Sequence, residues 1–115
     1  MGSEYLGEFE QLVLLAVMRL KADAYGVTVR QEIAGRTHRD VSIGAIYATL
    51  DRLESKGFVE SRVGEPTAQR GGRAKRYFRI TGHGESAVTR ALADLRNMTD
   101  GLPLTAFTVL DPARS

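Results

Sequence analysis

The sequence predicts a mostly α-helical chain with one small β-hairpin, and three observations carry that prediction. Apolar residues recur at helical spacing in separated windows, most regularly at Ile43, Ile46, Tyr47, Leu50 and Leu53. Two short alternating runs, 58–63 and 75–80, follow that window and flank a loop holding Pro66 and Gly71-Gly72. A final window steps by three and four through Val88, Ala91, Leu95, Met98 and Leu102, the spacing of a heptad seam.

The first helix is expected from about Gly7 to Lys21. Leu12, Leu15, Ala16 and Leu20 share one face, and Val13, Leu14 and Val17 widen it. An apolar surface that broad belongs to a helix covered on most sides. Asp23 is the expected cap of a second helix, Ala24 to about Arg36, in which Tyr25, Val29 and Ile33 recur every fourth residue. The polar run Arg36-Thr37-His38-Arg39-Asp40 then reads as a turn. Ser42 is a natural N-cap for the third helix and Gly57 a natural stop. Opposite its apolar stripe the sequence places Ser42, Ala45, Thr49 and Arg52, with Ala48 and Asp51 alongside. In the strands, Val59, Ser61 and Val63 take one side of the first, and Arg76, Phe78 and Ile80 one side of the second. Thr81 caps a fourth helix that runs to about Thr99, and the tail from Leu102, with Pro103 and Pro112, is expected to be irregular.

At 115 residues the chain is the size of one domain. A net charge of +2 decides little, but its distribution is uneven. No Asp or Glu falls between Pro66 and Gly84, whereas Arg70, Arg73, Lys75, Arg76 and Arg79 all do. There is no cysteine, hence no disulfide or thiolate metal site. No apolar run approaches the roughly 20 residues of a membrane span. His38 and His83 are the only histidines, and neither has a cysteine or a paired carboxylate in its neighbourhood. No phosphate-binding glycine motif follows a strand. No enzyme activity, cofactor or metal is therefore expected, and the location expected is cytoplasmic.

Three helices, a basic hairpin and a long helix make the layout of a winged helix-turn-helix with a C-terminal dimerisation helix. Its divisions are a DNA-binding unit over 1–81, the dimerisation helix over 82–102 and the tail over 103–115. A short helix with a small polar face fits the major groove of duplex DNA, and a basic hairpin reaches the phosphates beside it. On that reading Ser42, Ala45 and Thr49 meet base edges and Arg52 lies near phosphate or base. Arg70, Arg73, Lys75 and Arg76 form the wing, and Arg79 is a surface strand residue. Tyr25 opens the second helix, whose free amides suit a phosphate. The seam on the last helix packs on its own first helix or on a twofold partner. The nearly all-round apolar first helix favours the partner, which gives Leu12, Val88, Ala91, Leu92, Leu95 and Met98 as a dimer interface.

The motifs also resemble a known family. Leu6-Gly7-Glu8-Phe9-Glu10, Tyr25-Gly26, Gly44-x-x-Tyr47 followed by Leu50-x-x-Leu53-Glu54-x-x-Gly57, and the run Arg73-Ala74-Lys75-Arg76-Tyr77-Phe78-Arg79-Ile80-Thr81-Gly82-His83-Gly84 are similar to those of PadR-like bacterial transcriptional regulators of the short type. The similarity covers roughly residues 6–100. It departs from the family in the extra glycine and the histidine, Gly82-His83, at the start of the fourth helix and after Leu102. What it implies is a homodimeric regulator, most often a repressor, on a roughly palindromic double-stranded operator. The Tyr47 hydroxyl is then expected on a phosphate, and a small apolar or aromatic effector is the expected releasing signal. The rival reading is a winged-helix protein-interaction module that never meets nucleic acid.

Overall fold

The computed structural model describes residues 5–64 and 74–104. Helix α1, Glu8–Leu20, begins behind Gly7, whose amide donates to the Glu10 carboxylate at 2.9 Å. It buries Val13, Leu14, Ala16 and Val17 on one side and half-buries Leu12, Leu15 and Met18 on the others. The breadth of its apolar surface is therefore used on more than one flank. A single 3-10 turn, Lys21–Asp23, separates it from α2, Gly26–Thr37.

The start of α2 differs from the sequence expectation. Asp23 lies in the 3-10 turn and Tyr25 is the N-cap. The Thr28 hydroxyl accepts from the Tyr25 amide at 2.9 Å and donates to the Asp23 carbonyl at 2.6 Å. Hairpin pairing delays the helix. The Phe78 amide donates to the Ala24 carbonyl at 2.8 Å, and Tyr25 bridges Tyr77. Residues held extended by a strand cannot also take helical φ/ψ.

Helix α3, Ile43–Ser55, starts at Ser42, whose side chain accepts from the Ala45 amide at 3.0 Å. It ends in a Schellman motif. The Phe58 amide donates to the Leu53 carbonyl and the Gly57 amide to the Glu54 carbonyl, both at 2.9 Å, with Gly57 at φ +80°. That sharp exit feeds strand β1, Val59–Val63, antiparallel to β2, Arg76–Ile80, in the register Val59–Ile80, Ser61–Phe78, Val63–Arg76. Val59 and Phe78 turn into the core as alternation predicts, but Val63, at the far end, is 71% exposed.

Helix α4, Gly82–Thr99, is capped by the Thr81 hydroxyl, which accepts from the Gly84 amide at 3.0 Å and donates to the Gly57 carbonyl at 2.7 Å. A Cβ on Gly84 would sit 2.1 Å from the Phe58 carbonyl oxygen. The absence of a side chain at Gly84 thus lets α4 lie directly on the turn after α3. Its first turns enter the core through Ala87 and Val88. Val88, expected at a dimer interface, is 2% exposed within its own chain. From Ala91 onward the helix leaves the core, and Leu92, Leu95 and Met98 stand exposed.

Candidate nucleic-acid interface

The stripe that α3 buries is Ile46, Thr49, Leu50 and Leu53. At roughly 100° per residue, a face centred on those positions leaves Gly44, Ala48, Asp51 and Ser55 opposite, and all four are exposed. Tyr47 is exposed beside them. The side expected to read DNA is accordingly rolled by about one residue, 100°. Thr49 is 3% exposed and accepts from Arg52 Nη2 at 3.3 Å, so it does not present its methyl to a groove. Ala45 is half-buried on the same flank. Counting Tyr47 into the apolar stripe pulled the expected outer face toward Thr49. An amphipathic ring at a stripe edge needs no burial.

Arg52 is also engaged. Its Nε lies 3.2 Å from Glu10 Oε2. Lys56 Nζ lies 2.9 and 3.1 Å from the two oxygens of the same carboxylate and 3.2 Å from the Tyr5 carbonyl. Burial pushes the Glu10 carboxyl up, but the hydrogen bonds from Lys56, the Gly7 amide and Arg52 outweigh it and hold the group below the ordinary carboxylate range. In the sequence Glu10 carries no signal of a role beyond a family motif and its place as a charged residue inside an otherwise apolar helical face.

The wing divides in the same way. Arg76 reaches Asp51 at 2.9 Å, pairs with Glu54 and lies over the Phe78 ring. The Ser61 hydroxyl, at 2.7 Å, and then Arg76 keep Glu54 below the usual carboxylate range against the opposing effect of its burial. Arg76 therefore fastens β2 to α3. Arg79, exposed, pairs with Glu60. Arg70 and Arg73 lie outside the described residues.

Lys75 and Arg62 are different. Each is exposed, and among the described residues neither is in an ion pair. Lys75 Nζ sits 4.5 Å above the Tyr25 ring and Arg62 4.8 Å above Tyr77, and the two rings meet edge to face at 5.4 Å. Tyr47 joins this group through Gly26, where a Cβ would fall 2.3 Å from Tyr47 Cζ. Only glycine leaves room for that ring on the first turn of α2. Tyr47, Tyr25 and Lys75 thus link α3, the N-terminus of α2 and the base of the hairpin, while the Ser42 side chain is engaged in capping α3. Such a surface offers hydroxyls, an ammonium and helix N-terminal amides, the donors a phosphate backbone takes. Arg62 was missed because its strand reads as an ordinary exposed edge.

Of the residues expected at a dimer interface, Leu12 is half-buried and lines a groove of about 250 Å³ with Leu15, Ala16 and Ile33 between α1 and α2. Ala91 is half-buried on α4. No metal-ligand cluster occurs among the described residues, and no helix among them is long and apolar enough to cross a membrane.

The chain resembles known proteins along most of its length. It is 31% identical over 99 residues to an uncharacterized protein of Lysinibacillus sphaericus, covering 82% of this chain and 86% of that protein. It is 38% identical over 96 residues to Transcriptional regulator Rv3488 of Mycobacterium tuberculosis, covering 76% and 83%. The crystal structure of a PadR family transcription regulator from hypervirulent Clostridium difficile shares the fold, with a TM-score of 0.64 at 20% identity over 79% of this chain and 91% of that one. The Transcriptional regulator PadR-like family profile matches residues 14–90, and the chain belongs to that family of DNA-binding transcriptional regulators.

Proposed function

We propose that this regulator binds duplex DNA as a homodimer and represses by occupying a roughly palindromic operator. The observation that carries the reading is the grouping of Tyr47, Tyr25 and Lys75 beside the open face of α3. In this reading Gly44 and Ala48 let the α3 backbone approach base edges, since small residues permit close contact in the major groove. Tyr47, Tyr25 and Lys75 hold phosphates on either side, and Arg70 and Arg73 add charge. Residues 1–81 form the reading unit and 82–102 the helix that joins two copies. Leu92, Leu95 and Met98 supply an exposed apolar strip for that contact. Two reading helices about 34–36 Å apart then address successive turns of one duplex face. A small apolar or aromatic effector near the twofold axis would release the operator by changing that separation.

Selection of duplexes from a random pool tests the reading. The expected product is a two-fold symmetric site bound by two chains, with affinity falling steeply as salt rises. A pool that yields no preferred sequence, with equally weak binding to all duplexes in dilute salt, favours the protein-interaction module instead. Adding a panel of planar aromatics to the selected complex tests release.

A further inference from the structure

Glu10 is a buried carboxylate that joins three segments. It is 6% exposed, yet it receives the Gly7 amide from the chain entering α1, Arg52 from the last turn of α3 and Lys56 from its C-cap. Lys56 also donates to the Tyr5 carbonyl. Two residues earlier, Glu8 pairs with Arg39 in the linker that leads to α3. The first turn of α1 therefore holds α3 near both of its ends.

Burying a carboxylate is costly, and an apolar contact of the same volume is often as stable or more so. Stability alone gives no reason for a charge here. Apolar packing is also non-directional. The buried stripe Ile46, Leu50 and Leu53 decides which side of α3 meets the core, but such packing fixes the angle only coarsely. Hydrogen bonds to a fixed carboxylate set it more closely, because they weaken steeply once bent or stretched. A roll of one residue, about 100°, is the difference between presenting Gly44, Ala48 and Asp51 to DNA and presenting Ala45, Thr49 and Arg52.

We propose that Glu10, through Arg52 and Lys56, is a positioning residue that sets the roll of α3 and thereby the protein's discrimination between DNA sequences, without touching DNA. This rests on the reading of α3 as the element that meets base edges. Phosphate contacts from Tyr25 and Lys75 leave other elements and do not follow the roll of α3, and the one from Tyr47, at the edge of α3, serves every duplex alike. The inference thus separates sequence preference from general affinity.

The experiment compares a duplex selected by the wild-type protein with a shuffled duplex of the same composition, using full-length chains at a temperature where each variant is folded by circular dichroism. The variants are Glu10→Gln and the pair Glu10→Gln/Lys56→Met, the second leaving no unpaired ammonium at the site. The expected result is a fall of about tenfold in the ratio of selected to shuffled affinity. A purely structural role would lower the melting temperature and leave the ratio of the folded protein at its wild-type value. That outcome overturns the inference while leaving the DNA reading intact. A wild-type protein that shows no preference between the two duplexes overturns both.

Discussion

The two flanks of α3 handle cations in opposite ways. On one, Arg52 and Lys56 converge on Glu10, and Thr49 is sealed beneath them. On the other, Arg76 is tied to Asp51 and Glu54, while Lys75 just along the chain lies on a tyrosine ring with no carboxylate paired to it among the described residues. A basic residue's availability to a phosphate is therefore fixed by the acid beside it, not by its own charge or by the element it sits on. Arg76 and Lys75 are neighbours in sequence and equally basic, yet one is an internal fastener and the other an open donor.

Removing the ammonium from the closed flank should have the largest effect. Lys56→Met leaves Glu10 with the half-exposed Arg52 and one amide, and breaking a buried pair from one side costs about 3 kcal/mol. Urea denaturation of wild type and variant at neutral pH measures it. Acid should erase the difference. Glu10 is held below its ordinary value of 4.5 in the folded chain, so the folded state takes up this proton less readily than the unfolded one. The contribution is complete above that value and fades as pH falls through the lower folded value. The wild-type and Lys56→Met curves should accordingly converge below about pH 4.5, and parallel curves there would refute the assignment.

Disturbing the open flank should spare stability and harm binding. Gly26→Ala places a methyl where the Tyr47 ring lies, forcing the ring off the first turn of α2. Ala is the better helix former by up to about 1 kcal/mol, so the melting temperature should hold or rise. Operator affinity should fall about tenfold, equivalent to about 1.4 kcal/mol. Unchanged affinity would mean that Tyr47 is no part of the contact surface. Lys75→Ala and Arg52→Ala sharpen the contrast further. The first should lower affinity for every duplex and flatten the salt dependence by about one contact per protomer. The second should leave the salt slope unaltered, because Arg52 is turned toward Glu10 on the closed flank.

The elements were legible because their signals are local. Ser42 and Thr81 each cap an amide three residues ahead, and Gly57 ends α3 within one turn. Such chemistry needs no knowledge of the rest of the chain. The roll of α3 was not legible, since it depends on Glu10, 42 positions before Arg52 and 46 before Lys56. The start of α2 slipped for a similar reason: Ala24 and Tyr25 are claimed by β2, which arrives some fifty residues later (about 54 from Ala24 to Phe78). Val88 shows the same limit on α4. The heptad spacing runs unbroken from Val88 to Leu102, but only the tight passage at Gly84 reveals that its first rung lies in the chain's own core and its later rungs outside it.

The smallest expected effect is also the sharpest test of which flank faces DNA. Thr49→Val keeps the side-chain volume and loses one hydroxyl, which accepts from the already paired Arg52 at 3.3 Å. A single long hydrogen bond to a partner that keeps Glu10 is worth about 1 kcal/mol or less, and burying a methyl in place of a hydroxyl offsets part of that loss. Stability should move by less than about 1 kcal/mol. Sequence preference should not move at all, because a side chain 3% exposed reaches no base. Ala48→Val, one position away on the open face, should by contrast weaken binding to the selected duplex by pushing α3 out of the groove. If Thr49→Val instead alters the selected sequence while Ala48→Val is silent, α3 must roll when it meets DNA, and the closed flank becomes the reading one.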